Sequence, residues 1–176
     1  MVEATREEFV FGRGLSAAQV AEIAAMRARM ENEIGAEDKT RLNIKQGHGG
    51  LVDVEFLAQM MALRYGHRSR ELRVRDTIGL LGVLDKLGLL EHRDAATLED
   101  DYRFLSRLEN RLRIESDQPA WALPTSPAAL RPLARRMGFE GTDGAARLLR
   151  ELAERRDRIR EIFDRYFAAE LARADA

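Results

Sequence analysis

Apolar residues return every three or four positions along most of this chain, and that spacing predicts helices nearly throughout. Val20, Ile23, Met26, Met30 and Ile34 mark a first stripe, with Ser16 placed to cap the helix and Gly35 to end it. The pattern after Gly50 is ambiguous at first, because Val52, Val54 and Phe56 alternate with Leu51, Asp53 and Glu55 as they would in a strand. The longer window decides for a helix: Val52, Phe56, Met60 and Leu63 keep the helical repeat to Tyr65, and Gly66 closes it. Asp76 can cap a third helix, with Ile78, Leu80, Leu81, Leu84 and Leu87 as its stripe and Gly88 as its stop. Asp94 can cap a longer one, in which Leu98, Tyr102, Leu105, Leu108 and Leu112 repeat to about Glu115. Ser126-Pro127 supplies an N-cap and a first-position proline, Leu130, Leu133 and Met137 a buried face, and Gly138 a stop. The last helix runs from about Thr142 to Ala172 on Leu148, Leu152, Ile159, Phe163 and Tyr166. On its surface Glu151–Arg155, Glu154–Arg158 and Glu161–Arg165 are spaced as favourable pairs.

The fold class that follows is all-α, an antiparallel bundle of about six helices with short connections and no strand. Residues 15–172 read as a single helical domain. Residues 1–14 read as a tail or the remnant of an upstream linker, carrying the apolar patch Phe9-Val10-Phe11, and residues 173–176 as a short tail. An irregular loop from Asp117 to Pro124 separates the fourth and fifth helices, and its Trp121 suits sealing a bundle edge better than stacking on a base.

Composition then removes whole classes of function. Twenty-nine basic residues against thirty acidic ones leave a net charge of −1, so no pull toward nucleic acid or an anionic membrane is expected. Cysteine is absent, which excludes disulfides, a thiol nucleophile and thiolate metal sites. No run of about 18 apolar residues exists, and the acidic N-terminus fits no signal peptide; a cytoplasmic location is expected. His48, His67 and His92 fit no metal-ligand spacing, and no nucleophile elbow or phosphate loop is present. Neither a catalytic residue nor a metal site is assigned.

One stretch, Lys45 to Gln59, concentrates the remaining candidate chemistry. Gly47, Gly49 and Gly50 allow backbone amides to approach an anion, a helix N-terminus adds free N–H groups, and Lys45 can supply a full charge. Spacing alone favours the plainer reading, a tight start to a helix with Lys45 in solvent. Asp53, in the first turn, complements the helix dipole. On a helix Glu55 points about 200° away from Asp53, so the two do not chelate one ion, whereas Glu55 and Gln59 share a face. A basic cluster follows, Arg64, Arg68, Arg70, Arg73 and Arg75, which suits phosphates or an acidic partner but more commonly is a solvated loop.

Taken whole, Asn43-Ile44-Lys45-x-Gly47-x-Gly49-Gly50-x-Val52-Asp53-Val54-Glu55-Phe56-Leu57-x-Gln59 resembles a motif of the bacterial glutamine-synthetase adenylyltransferase/deadenylylase family. The similarity continues through Leu63-Arg64-Tyr65-Gly66-His67 and through Tyr102-x-Phe104-Leu105-x-x-Leu108-Glu109-x-Arg111-Leu112. It extends from Asp117 through Leu123-Pro124 to Met137-Gly138-Phe139, and covers nearly all of residues 15–165. The resemblance implies the helical domain that follows a nucleotidyltransferase domain in a two-halved enzyme of nitrogen metabolism. One half removes AMP from a tyrosine of glutamine synthetase; the other attaches it from ATP with magnesium. Val52-Asp53-Val54-Glu55 is similar to the C-terminal, adenylylating half, and the chain ends soon after its last helix, as a C-terminal segment would.

The implied partners are glutamine synthetase, the PII signalling protein and the upstream nucleotidyltransferase domain of the same polypeptide. ATP and magnesium belong to the full-length parent, and none is expected for this chain alone. Enzymes of that superfamily place an Asp-x-Asp/Glu pair on a strand well downstream of a Gly-Gly/Ser motif. Here Asp53-x-Glu55 follows Gly49-Gly50 almost at once, on an expected helix, so it is not read as the catalytic dyad. The chain alone is not expected to transfer AMP. Under the leading reading Lys45, Gly47, Gly49, Gly50, Asp53, Glu55 and Gln59 contact nucleotide or face the catalytic core. The second reading is a non-catalytic module that binds glutamine synthetase or PII through the arginine cluster and the Phe9-Val10-Phe11 patch. A domain related to PII uridylyltransferases is the third.

Overall fold

The structure is a computed structural model and describes residues 11–115 and 122–173. Among these residues six α-helices surround one continuous core: α1 (Ala17–Glu33), α2 (Leu51–Tyr65), α3 (Thr77–Lys86), α4 (His92–Glu115), α5 (Pro127–Arg136) and α6 (Gly144–Ala172). The all-α expectation holds. Phe9, Val10 and Trp121, singled out above, lie outside the described residues.

Helix α2 is the central element. Its first turn to its last carries buried residues on every side, including Leu51, Val54, Leu57, Met60 and Met61. The four-residue stripe read from the sequence is therefore too narrow, and Phe56 and Leu63 are only half-buried. A helix apolar all round belongs in the middle of a bundle. Helix α6 runs alongside it, burying Leu148, Leu152, Ile159, Phe163 and Phe167, and packs against α1, α2, α4 and α5.

The local signals for helix ends hold where a side chain can satisfy free amides. The Ser16 hydroxyl accepts from the Gln19 amide at 3.2 Å while the Gln19 side chain accepts from the Ser16 amide at 2.9 Å. Asp76 accepts from the Gly79 amide at 2.6 Å, and Ser126 from the Ala129 amide at 3.4 Å. Asp94 differs: α4 begins at His92, and Asp94 accepts instead from the Tyr166 hydroxyl at 2.9 Å and pairs with Arg165 at 2.8 Å. It ties α4 to α6 rather than capping.

Three further expectations are corrected. A two-stranded antiparallel ribbon exists, β1 (Arg41–Asn43) against β2 (Ala122–Pro124), with Leu42 opposite Leu123. Strands of three residues are too short to show alternation, and pairing across eighty positions leaves no local trace. On α1, Met26 and Ile34 are 42% and 54% exposed while Arg27 is buried, so the apolar stripe is broken by a charge. Leu87, at the end of α3, is likewise exposed. Of the three surface pairs on α6 only Glu151–Arg155 forms, at 2.7 Å. Arg158 reaches across to Asp101 on α4 at 2.8 Å and Arg165 to Asp94, because a buried carboxylate is a better partner than a solvated one. None of the helices among the described residues is long and apolar enough to cross a membrane.

Candidate functional site

The ribbon delivers the chain into a corner, residues 43–50, from which α2 departs. Asn43 shapes its first half. Its side-chain oxygen accepts from the amides of Lys45 at 3.2 Å and Gln46 at 2.9 Å, and its side-chain nitrogen donates to the Ile34 carbonyl at 3.2 Å. The Gly47 amide donates to the Asn43 carbonyl and the Gly50 amide to the Gly47 carbonyl. Leu51, Val52 and Asp53, the first turn of α2, donate to the carbonyls of Ile44, Lys45 and Gly50 at 3.2, 3.0 and 3.1 Å. The donors that a helix start ordinarily offers to an anion are thus taken up inside the corner.

Guanidinium groups hold the outside. Arg27 of α1 donates to the Gly47 carbonyl at 3.0 Å, and Arg156 of α6 to the His48 carbonyl at 2.7 Å. Arg156 also grips both oxygens of Glu37, at 2.8 and 2.9 Å. Gly49 has φ +61°, and a Cβ there would overlap the Arg156 carbonyl on the backbone of α6. A Cβ at Gly47 would sit 2.5 Å from the Asn43 carbonyl. Gly49 lets the corner lie directly on α6, and Gly47 lets it fold tightly on itself.

Asp53 and Glu55 part company. Asp53 is fully buried, receives Arg27 at 2.5 Å and the Gly49 amide at 2.8 Å, and has Arg160 at 3.5 Å. Burial pushes its carboxyl above the usual carboxylate range, opposed by the charges of Arg27 and Arg160. Arg27 and Arg160 also share Glu31, at 3.3 and 2.7 Å, so the network joins α1, α2 and α6. Glu55 points to the other side and accepts from the Tyr102 hydroxyl of α4 at 3.0 Å. Burial and the adjoining Glu55 carboxylate raise the Tyr102 phenol above its ordinary value. The separation expected of positions two apart on a helix is observed.

Lys45 remains at the surface, 41% exposed, with its ammonium 3.3 Å from Glu109 of α4. Gln59 is exposed one turn beyond Glu55. Lys45 and His48 are the corner's exposed charged or titratable side chains, and Gln59 lies two turns along α2 from it.

The arginine cluster does not stay together. Arg64 is buried, paired with the buried Glu170 at 2.7 Å, and donates to the Leu15 carbonyl at 2.9 Å. Arg73 lies over the Phe11 ring, 5.1 Å from its centre. Arg68, Arg70 and Arg75 are exposed. Among the described residues no group of three or more His, Cys, Asp or Glu side chains is arranged to hold a metal ion.

Sequence reasoning missed Arg27, Arg156 and Arg160, the side chains that lock the corner. A signal existed. Arg27 stands seven residues after Val20, on its stripe, and Arg156 stands in the gap between Leu152 and Ile159. A charge at a position that periodicity marks as buried points to a buried partner.

Fold and corner together define an all-α domain whose glycine turn is locked by arginines from two other helices. The chain belongs to the GlnD PII-uridylyltransferase family, whose model matches residues 23–167. Its curated relatives include bifunctional glutamine synthetase adenylyltransferase/adenylyl-removing enzymes, in agreement with the resemblance seen in the motif. It is 38% identical over 160 residues to that of Methylococcus capsulatus, covering 91% of this chain and 16% of the relative. It is 31% identical over 175 residues to that of Acinetobacter baylyi, covering 99% of this chain and 18% of the relative. Against that of Mycobacterium marinum the identity is 38% over 136 residues, 75% of this chain and 14% of the relative. The chain therefore spans less than a fifth of the length of these relatives.

Proposed function

We propose that this chain is the helical domain of an enzyme that transfers AMP from ATP to a tyrosine of glutamine synthetase. In this reading it supports a nucleotidyltransferase domain of the same polypeptide and turns the Lys45–Gln59 corner toward it. The observation that carries it is the corner itself, a turn whose amides bond within it and into the first turn of α2 while the Lys45 side chain stays 41% exposed. The match of nearly the whole chain to a small part of each relative supports a domain role.

Magnesium does not fit the acidic pair of this chain. Asp53 is buried against Arg27, and Glu55 is directed to Tyr102 on another helix. The metal and the bond-making carboxylates are accordingly assigned to the partner domain. Lys45 would contribute charge to the nucleotide phosphates or the catalytic loop. Glu55, held by Tyr102, would keep α2 and α4 in register beneath it.

The test is AMP transfer to glutamine synthetase by the full-length enzyme carrying Glu55→Ala or Tyr102→Phe. The reading expects slower transfer by a correctly folded enzyme; transfer at the unaltered rate by both variants overturns it. The exposed Arg68, Arg70 and Arg75 favour a second role as a contact surface for glutamine synthetase or PII. Charge reversal at all three, with binding to each protein measured separately, tests that role.

A further inference from the structure

Glu109 stands on α4 about two turns beyond Tyr102, where the helix passes the corner. Its side chain is 14% exposed, yet the two groups that neutralise it both come from the surface: the Lys45 ammonium at 3.3 Å and the Arg113 guanidinium at 3.4 Å. Both cations approach the same oxygen, Oε1, so their charged heads face each other across one atom. Arg113, four residues on, is the ordinary helical partner of such a carboxylate. Lys45 is added to it from 64 positions away in the chain.

The contact is fixed from both sides. The Lys45 amide donates to the Asn43 side chain and the Lys45 carbonyl accepts from the Val52 amide, so only the side chain is free to turn. Glu109 rides on a helix whose Leu105 and Leu108 are wholly buried, and whose Asp101 receives Arg155 and Arg158 of α6 at 2.6 and 2.8 Å. A lysine loose in solvent samples many rotamers and must give them up to address a ligand. One already drawn out by a fixed carboxylate gives up fewer. The same carboxylate also keeps together two like charges that repel once it is neutralised.

We propose that Glu109 is the positioning residue for Lys45: it holds the ammonium out along α4, in the place from which Lys45 addresses a phosphate group. The inference rests on the role given to Lys45 above and adds the residue that sets its direction. An ammonium carries three N–H groups, so a bond to Glu109 leaves others for the ligand. Glu109 itself touches no reacting atom and acts only through Lys45.

The test is a double-mutant cycle on AMP transfer by the full-length enzyme, with wild type, Glu109→Gln, Lys45→Ala and the two changes together. Glutamine keeps the size of the side chain and removes its charge. The expected result is transfer slowed about three- to tenfold by Glu109→Gln, with no further slowing when the same change is made in Lys45→Ala. Further slowing in the Lys45→Ala background makes Glu109 a structural residue of α4 and overturns the inference. So does Glu109→Gln at or above the wild-type rate while Lys45→Ala is slow. In both of those cases the proposed function stands. Lys45→Ala at the wild-type rate overturns the role of Lys45, and the inference with it, so the two failures are told apart by one variant.

Discussion

Arg27 and Asp53 meet at 2.5 Å with side chains 1% and 0% exposed, and that contact fastens α1 to the first turn of α2, while Arg160 brings α6 to the same carboxylate at 3.5 Å. A buried pair contributes little net stability against an apolar alternative, but removing one partner leaves an uncompensated charge. Asp53→Ala is expected to lower unfolding free energy by about 3–5 kcal/mol. Arg27→Met combined with Asp53→Leu is expected to cost less than Asp53→Ala alone. Urea denaturation of the variants checks both; a double variant that loses as much as Asp53→Ala would contradict the account of the pair.

Three glycines separate backbone strain from steric contact. Gly49 and Gly88 both have positive φ, +61° and +67°, but only at Gly49 does a Cβ overlap a neighbouring backbone. Gly88→Ala is expected to cost about 1–2 kcal/mol, the price of the left-handed conformation alone. Gly49→Ala is expected to cost clearly more, since α6 must move as well. Gly82, inside α3 with open space around it, is expected to stabilise by roughly 0.5–1 kcal/mol on change to Ala. Thermal melts of the three variants give the ranking directly.

The arginine cluster divides by burial. Arg64→Ala leaves the buried Glu170 without its closest cation and frees the Leu15 carbonyl, with an expected cost of about 3–5 kcal/mol. Arg68→Ala and Arg70→Ala, at exposed positions, are expected to stay within about 0.5 kcal/mol of the wild type. Denaturation midpoints that moved equally for all three would contradict the division.

Helix positions were legible because their signals are local: Ser16, Asp76 and Ser126 cap as expected, and Gly66 and Gly138 close their helices. The ribbon was not, since Leu42 and Leu123 find each other only once the bundle has formed. In the site, the opposite directions of Asp53 and Glu55 followed from helical geometry alone. The partners of Asp53 did not, because Arg27 and Arg160 come from helices distant in sequence, and charged residues on a stripe look like solvated ones until burial is known. Arg158 and Arg165 show the same limit: i, i+4 spacing offered Glu154 and Glu161, and tertiary packing supplied Asp101 and Asp94 instead.

The central claim is that the corner faces a catalytic domain, and Lys45 tests it with the least structural disturbance. Its side chain is 41% exposed, and Glu109, 14% exposed, keeps Arg113 at 3.4 Å when Lys45 is removed, so Lys45→Ala should change stability by about 1 kcal/mol. In the full-length enzyme, the rate of AMP transfer to glutamine synthetase by Lys45→Ala is the measurement. The account predicts a fall of about tenfold or more, the loss of one charge-assisted contact to phosphate, with the melting temperature essentially unchanged. Transfer at the wild-type rate by the folded variant would contradict it.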